Sequence, residues 1–104
     1  MLTITCAGRV GKDAVTKTVG NSTVTEFSLA TQIGKDRETF WLNVSIWGKR
    51  GEALQPYLTK GTQATVIGDL TISQGDNKTF YTCRADQVAL QGGPKEQRGD
   101  PYAA

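Results

Sequence analysis

Thr39-Phe40-Trp41-Leu42-Asn43-Val44-Ser45-Ile46-Trp47, closed by Gly48, is the stretch on which the reading of this chain turns. Its residues alternate with a period of two, the mark of a strand with one buried face. Successive side chains of a strand point to opposite sides. Phe40, Leu42, Val44 and Ile46 therefore form an unbroken apolar row that faces a core, and Trp41, Asn43, Ser45 and Trp47 form the other row. A row holding Asn and Ser is not sealed, which leaves both indoles partly exposed. Flat exposed rings stack nucleobases at about 1–3 kcal/mol per base, whatever the base. The strand between the two rings spans up to about 20 Å, room for several splayed nucleotides. The competing use of such rings is a subunit or partner interface.

The same period recurs on either side. Leu2, Ile4, Cys6 and Val10 alternate with Thr3, Thr5, Ala7 and Arg9, and a second strand at Val24–Gln32 carries Phe27, Leu29 and Thr31 on one side. Between them, residues 11–23 are rich in Gly, Lys, Thr and Ser and read as a loop with a Gly20-Asn21 turn. Gly34–Glu38 is a charged connection into the decisive strand. After it, Lys49–Leu58 places Ala53, Leu54, Tyr57 and Leu58 at helical spacing, with Pro56 holding the helix to about two turns. Thr62–Ser73 is a fourth strand with Ala64, Val66, Leu70 and Ile72 in phase. Gly75-Asp76-Asn77 turns the chain into a fifth, Lys78–Leu90. Five strands with one short helix between the third and fourth is the element order of an OB-fold, an all-β Greek-key barrel. Residues 1–90 make that domain, and residues 91–104 form a tail too poor in apolar groups to order itself.

Composition narrows the chemistry. The chain has 104 residues, 38% of them hydrophobic and 21% charged, as expected of a single globular domain. It has no histidine, which removes Ser-His-Asp and Cys-His nucleophile pairs and every His-bearing zinc site. The two cysteines, Cys6 and Cys83, lie in apolar segments and read as small buried hydrophobes. No GxxxxGK[ST] or GxGxxG occurs, so neither a nucleotide site nor any other cofactor is expected. With no bilayer-length apolar run and no basic-then-apolar leader, the expected location is the cytoplasm. Net charge is +2, and in the tail Lys95 and Arg98 offset Glu96 and Asp100, so the excess sits in residues 1–90.

A nucleic-acid strand needs cations for its phosphates as well as rings for its bases. Lys35 and Arg37 stand in the loop before the tryptophan strand, and Lys49 follows it. Lys17 lies in the first loop, Lys78 in the last hairpin, and Arg9 and Arg84 on strands, with Phe80 an additional aromatic beside that hairpin. Basic loops framing an aromatic sheet face are what a single-strand groove requires.

Gly8-Arg9-Val10-Gly11-Lys12-Asp13, Phe27-Ser28-Leu29-Ala30-Thr31 and Trp41-Leu42-Asn43-Val44-Ser45-Ile46-Trp47-Gly48-Lys49-Arg50 resemble bacterial-type single-stranded DNA-binding proteins. Tyr57-Leu58-Thr59-Lys60-Gly61 and Val66-Ile67-Gly68-Asp69-Leu70 continue the resemblance in order, so that it covers residues 2–90. It implies an OB-fold assembled as a homotetramer of paired dimers that wraps single-stranded DNA in replication, recombination and repair, in association with the nucleoid. It further implies that Trp41 and Trp47 are stacking positions and Lys49 a phosphate contact. The loop at Gly34–Glu38 and the hairpin at Ser73–Lys78 are shorter than in many relatives and lack their aromatics, and fewer stacking platforms point to a smaller footprint per subunit or to weaker binding. The chain ends Asp100-Pro101-Tyr102-Ala103-Ala104 without the acidic tip by which the family recruits other enzymes, so that recruitment is not expected.

Three alternatives use the same residues differently. One is a primosome accessory, or a plasmid or phage variant of the same fold. Another is a nuclease on a small OB barrel, which would need clustered carboxylates; Glu26, Asp69 and Asp86 are scattered, so no enzyme is expected. The last is a scaffold whose tryptophan face meets protein.

Overall fold

The computed structural model describes residues 1–91. The chain runs β1 (Thr3–Val10), β2 (Val15–Val19), β3 (Ser22–Ile33), β4 (Glu38–Trp47), α1 (Lys49–Leu54), β5 (Gln63–Gly75) and β6 (Lys78–Leu90). The hydrogen-bonded order is β1-β5-β6-β4-β3-β2, and a further pairing of β1 with β3, at Arg9 opposite Ala30 and Val10 opposite Leu29, closes the sheet into a barrel. All neighbours are antiparallel except β4 and β6, which run parallel through Asn43–Thr82, Val44–Cys83 and Ser45–Arg84. The five-stranded barrel with its helix inserted between the third and fourth barrel strands is therefore present.

The core is what the alternation required. Leu42, Val44 and Ile46 of β4 are buried with Phe27 and Leu29 of β3, Ala64 and Val66 of β5, and Cys83 and Ala85 of β6. Phe40, expected in the same row, is half-buried and tilts against Tyr81 with ring centroids 5.1 Å apart, at the edge of the core. Two other in-phase residues are exposed, Leu2 by 54% and Ile72 by 51%. Leu2 precedes β1, and Ile72 belongs to the distal part of the β5–β6 hairpin, where Ile72 pairs with Tyr81 beyond the described β4–β6 pairs. Apolar residues on such an arm have no second layer to bury against.

The segment read as a loop contains a sixth strand. β2 pairs along β3 from Val15 opposite Glu26 to Val19 opposite Ser22, with Gly20-Asn21 as its two-residue turn. Gly20 takes φ 63°, a left-handed conformation that glycine adopts without strain. β2 buries little: Val15 and Val19 are exposed, and Thr16 reaches inward so that its hydroxyl meets that of buried Thr25 at 2.7 Å. It is an edge strand added to the barrel, held by backbone pairing rather than by a core.

One end of the barrel is closed by α1. Gly48 starts it at φ 83° and donates its N–H to Thr23 O at 2.8 Å, and Gly51 lies flat on Ile46 and Thr25, where a methyl would come within 2.7 Å of the Thr25 hydroxyl. Arg50 donates to the carbonyls of Ala85, at 2.8 Å, and Asp86, fixing the helix to β6. The α-helix stops at Leu54, short of the expected Leu58, because Pro56 supplies no N–H; Gln55–Tyr57 tighten into a 3₁₀ turn and Leu58 is buried beyond it. Gln91, assigned to the tail by composition, is tied down: its N–H donates to Gln63 O at 2.9 Å and its amide oxygen accepts from Thr65 at 3.0 Å. The rest of the expected tail lies outside the described residues.

Cys6 and Cys83 are free thiols in the core. Burial pushes Cys6 up, and burial, aided by the charges of Cys6, Asp86 and Asp69, pushes Cys83 up to about 11. Both thiols are expected to resist a thiol-specific reagent at pH 8 in the folded protein and to react at once in denaturant. Gly68, where the β5–β6 register shifts, leaves no room for a methyl between itself and the backbone of Arg84 and Ala85. Gly68→Ala is expected to lower the unfolding free energy by about 1–3 kcal/mol, measured by urea titration.

Candidate nucleic-acid interface

The register of the strands lays out the outer face of β4 as rows that can be read off directly. Lys17, Val24 and Trp47 make one row across β2, β3 and β4. The next is Val15, Glu26, Ser45 and Arg84, reaching β6. Ser28, Asn43 and Thr82 follow, and then Arg9, Ala30 and Trp41. On β6, Phe80 lies on the same side as Thr82 and Arg84 by alternation. Trp41 is 52% exposed, Trp47 40% and Phe80 42%, although each is a large apolar side chain.

Two adjoining grooves cross these rows. One, of about 440 Å³, runs past Phe40, Trp41, Lys78, Phe80 and Tyr81; the other, of about 300 Å³, passes Lys12, Val15, Glu26, Ser45 and Thr82. They share Ser28 and Asn43, so the two make one trough across the sheet. Its floor is small and polar where β3 and β4 meet, and its aromatic wall lies on the hairpin side. Small hydroxyl and amide groups in the middle leave the sheet open, and the wall offers flat rings of the kind on which nucleobases stack.

Two of the exposed rings are set by glycines. A methyl on Gly11 would stand 2.6 Å from Cζ3 of Trp41, and one on Gly75 would stand 2.7 Å from Cε2 of Phe80. The missing side chains are what allow these rings to lie down against the backbone. Gly11 is itself fixed, donating its N–H to Ser28 O at 2.8 Å. Trp47 is held differently: the Arg84 guanidinium lies 5.6 Å from its ring centroid, a cation–π contact. Lys78 sits 5.9 Å from the Phe80 centroid in the same way.

The expected cations are held in different ways. Lys78 lines the trough and Arg84 stands beside it, opposite Ser45, each with its charge over a ring. Lys17 reaches the same face but is paired to Glu26 at 3.0 Å. Arg9 donates to Gly61 O at 2.9 Å and lines a separate recess with Gln32, Thr39, Gln63 and Gln91. Arg37, at φ 56°, hydrogen-bonds Gln32 Oε1 at 3.0 Å and closes its own loop. Lys35 in that loop and Lys49 at the start of α1 are exposed; neither lines the two grooves described above. Sequence reasoning passed over Lys12, which lines the trough, and Gly11, which seats Trp41. Nothing in the pattern of residues 11–23 signals either contact before the hairpin is placed.

The carboxylates weighed for metal chemistry stay apart: Glu26 is in the trough, Asp69 pairs across β5 with Thr3 and Arg84, and Asp86 is exposed on β6. Among the described residues, no three metal-ligating side chains gather.

Gly11→Ala tests the seating of Trp41. In a Trp47→Phe background, which leaves one indole to observe, the substitution is expected to shift Trp41 emission to the red, with the cooperative unfolding transition retained. Unchanged emission would mean that Gly11 does not set the ring.

The single-strand binding protein family matches residues 1–91. Among curated proteins, the chain is 32% identical over 105 residues to a single-stranded DNA-binding protein of Xylella fastidiosa, covering 88% of this chain and 64% of that protein. It is 36% identical over 102 residues to one from Xanthomonas campestris (86% and 59%), and 30% identical over 109 residues to one from Enterococcus faecalis (92% and 58%). The chain thus spans roughly three-fifths of the length of these relatives. Among solved structures, the second single-stranded DNA-binding protein of Mycobacterium smegmatis superposes with a TM-score of 0.68 at 21% identity, covering 86% of this chain and 87% of that one, a likeness of fold. With the match extending over every described residue, the chain belongs to the single-strand binding protein family.

Proposed function

We propose that this chain binds single-stranded DNA without regard to sequence, as a binding protein and not an enzyme. The observation that carries the reading is the outer face of β4, where Trp41 and Trp47 stand half-exposed at the two ends of a small polar floor. Bases stack on Trp41, Trp47 and Phe80, and the phosphates are taken up by Lys78 and Lys12 along the trough and by Arg84 beside Trp47. Lys35 and Lys49 serve strands that pass beyond its ends. Arg9 and Arg37, whose guanidinium groups are engaged by Gly61 and Gln32, contribute as local positive charge. Residues 1–90 form the binding domain, with Gln91 tied to its β5.

Mechanistically the action is passive. A strand held with its bases on rings and its phosphates on cations cannot re-anneal and is shielded from nucleases. The names of its relatives support this role, and membership of their family supports assembly as a homotetramer acting in replication, recombination and repair in the cytoplasm.

Tryptophan fluorescence tests the reading. Titration with oligo-dT is expected to quench emission strongly, with weaker effects from oligo-rU and none from duplex DNA. Raising salt is expected to reverse the quenching, with a slope of about −0.7 per phosphate contact in the log–log plot. Trp41→Ala and Trp47→Ala are each expected to weaken binding roughly 5- to 150-fold for all homopolymers alike, the equivalent of one lost stack. Absence of quenching by any nucleic acid would overturn the proposal and return the tryptophan face to a protein interface.

A further inference from the structure

Among the described residues one salt bridge is formed, and it lies on the tryptophan face: Lys17 Nζ to Glu26 Oε1 at 3.0 Å. Glu26 belongs to the row Val15–Glu26–Ser45–Arg84 and lines the trough beside Ser28, Asn43 and Ser45. Lys17 stands one row away, in line with Val24 and Trp47. A carboxylate here is anomalous for a surface meant to hold a polyanion. It sits between the two tryptophans in the path a backbone would follow, and it takes the charge of a cation that would otherwise face that path.

We infer that Glu26 is an affinity-limiting latch on this site: it holds Lys17 away from DNA, so that a phosphate gains that cation by displacing the carboxylate. The inference rests on the single-strand reading of the same face. Both partners are about half-exposed, at 57% and 49%, and exposed pairs of this kind add little to folding. The latch therefore yields readily, and its effect falls on DNA. Each phosphate that takes Lys17 leaves a carboxylate beside a phosphate, two like charges at close range. Lys17 then contributes little to wild-type affinity and to the salt slope. The geometry makes Glu26 a control on how firmly a strand is held.

The test is a double-mutant cycle of the whole chain: wild type, Glu26→Gln, Lys17→Gln and the two together, titrated with oligo-dT by tryptophan fluorescence across a range of NaCl. The latch predicts that Glu26→Gln tightens binding about threefold or more at low salt and steepens the slope by about 0.7, one added phosphate contact on a single strand. Lys17→Gln alone leaves affinity within about twofold of wild type, and the double substitution loses most of the gain. If Glu26→Gln changes neither affinity nor slope, the latch is wrong. If its gain persists undiminished in the Lys17→Gln background, Glu26 acts by its own charge and the latch is equally wrong. A wild-type chain that binds no oligo-dT would instead sink the single-strand reading, and the latch with it.

Discussion

An unbroken run of cross-strand pairs fixes β4 against β3, from Val24 opposite Trp47 to Ile33 opposite Glu38, and β6 grips the other edge of β4 at Asn43, Val44 and Ser45. Because side chains alternate, a slip of one residue would send Leu42, Val44 and Ile46 into solvent and both tryptophans into the barrel. The three aliphatic residues are at most 1% exposed, so the cost of such a slip is the loss of the centre of the core. This burial is what holds the indoles outward. The exposure of Trp41 and Trp47 is a consequence of the packing beneath them.

Rings turned outward by register still need surfaces that fix where they lie. Here the sequence uses absent side chains and cations. Gly11 and Gly75 leave space against which Trp41 and Phe80 rest, and Arg84 and Lys78 lie over Trp47 and Phe80. On the proposed reading, a cation beside a ring stands near the phosphate of any base stacked there. Packing and electrostatics thus converge on the same few residues, and the trough between them is floored by Ser28 and Asn43, which obstruct nothing.

How much of this could be read from the sequence follows from which interactions are local. The two faces of β4 were legible because alternation within a single strand states them outright. β2 was not, because Val15-Thr16-Lys17-Thr18-Val19 buries almost nothing and presents no apolar row. Its available signal is the Gly20-Asn21 turn, which between two Thr/Val-rich runs is also a two-residue hairpin cue. With β2 went the partner of Lys17, since a cross-strand ion pair cannot be seen until both strands are placed. Arg9 and Arg37 show the same limit: their bonds to Gly61 and Gln32 depend on where the chain returns and how the loop turns. Glu26, weighed as a stray carboxylate, proved to lie in the middle of the face.

The central claim is that a nucleic-acid strand lies across the outer face of β4, and chemical-shift mapping addresses it most directly. Amide and indole N–H resonances of the isotopically labelled chain would be followed as oligo-dT is added. The account predicts shifts concentrated on Trp41, Asn43, Ser45 and Trp47, with Ser28, Phe80, Thr82 and Arg84 beside them, and both indole signals among the largest movers. Shifts confined to the recess around Arg9, Gln32 and Gln63, with the two indoles unmoved, would contradict it.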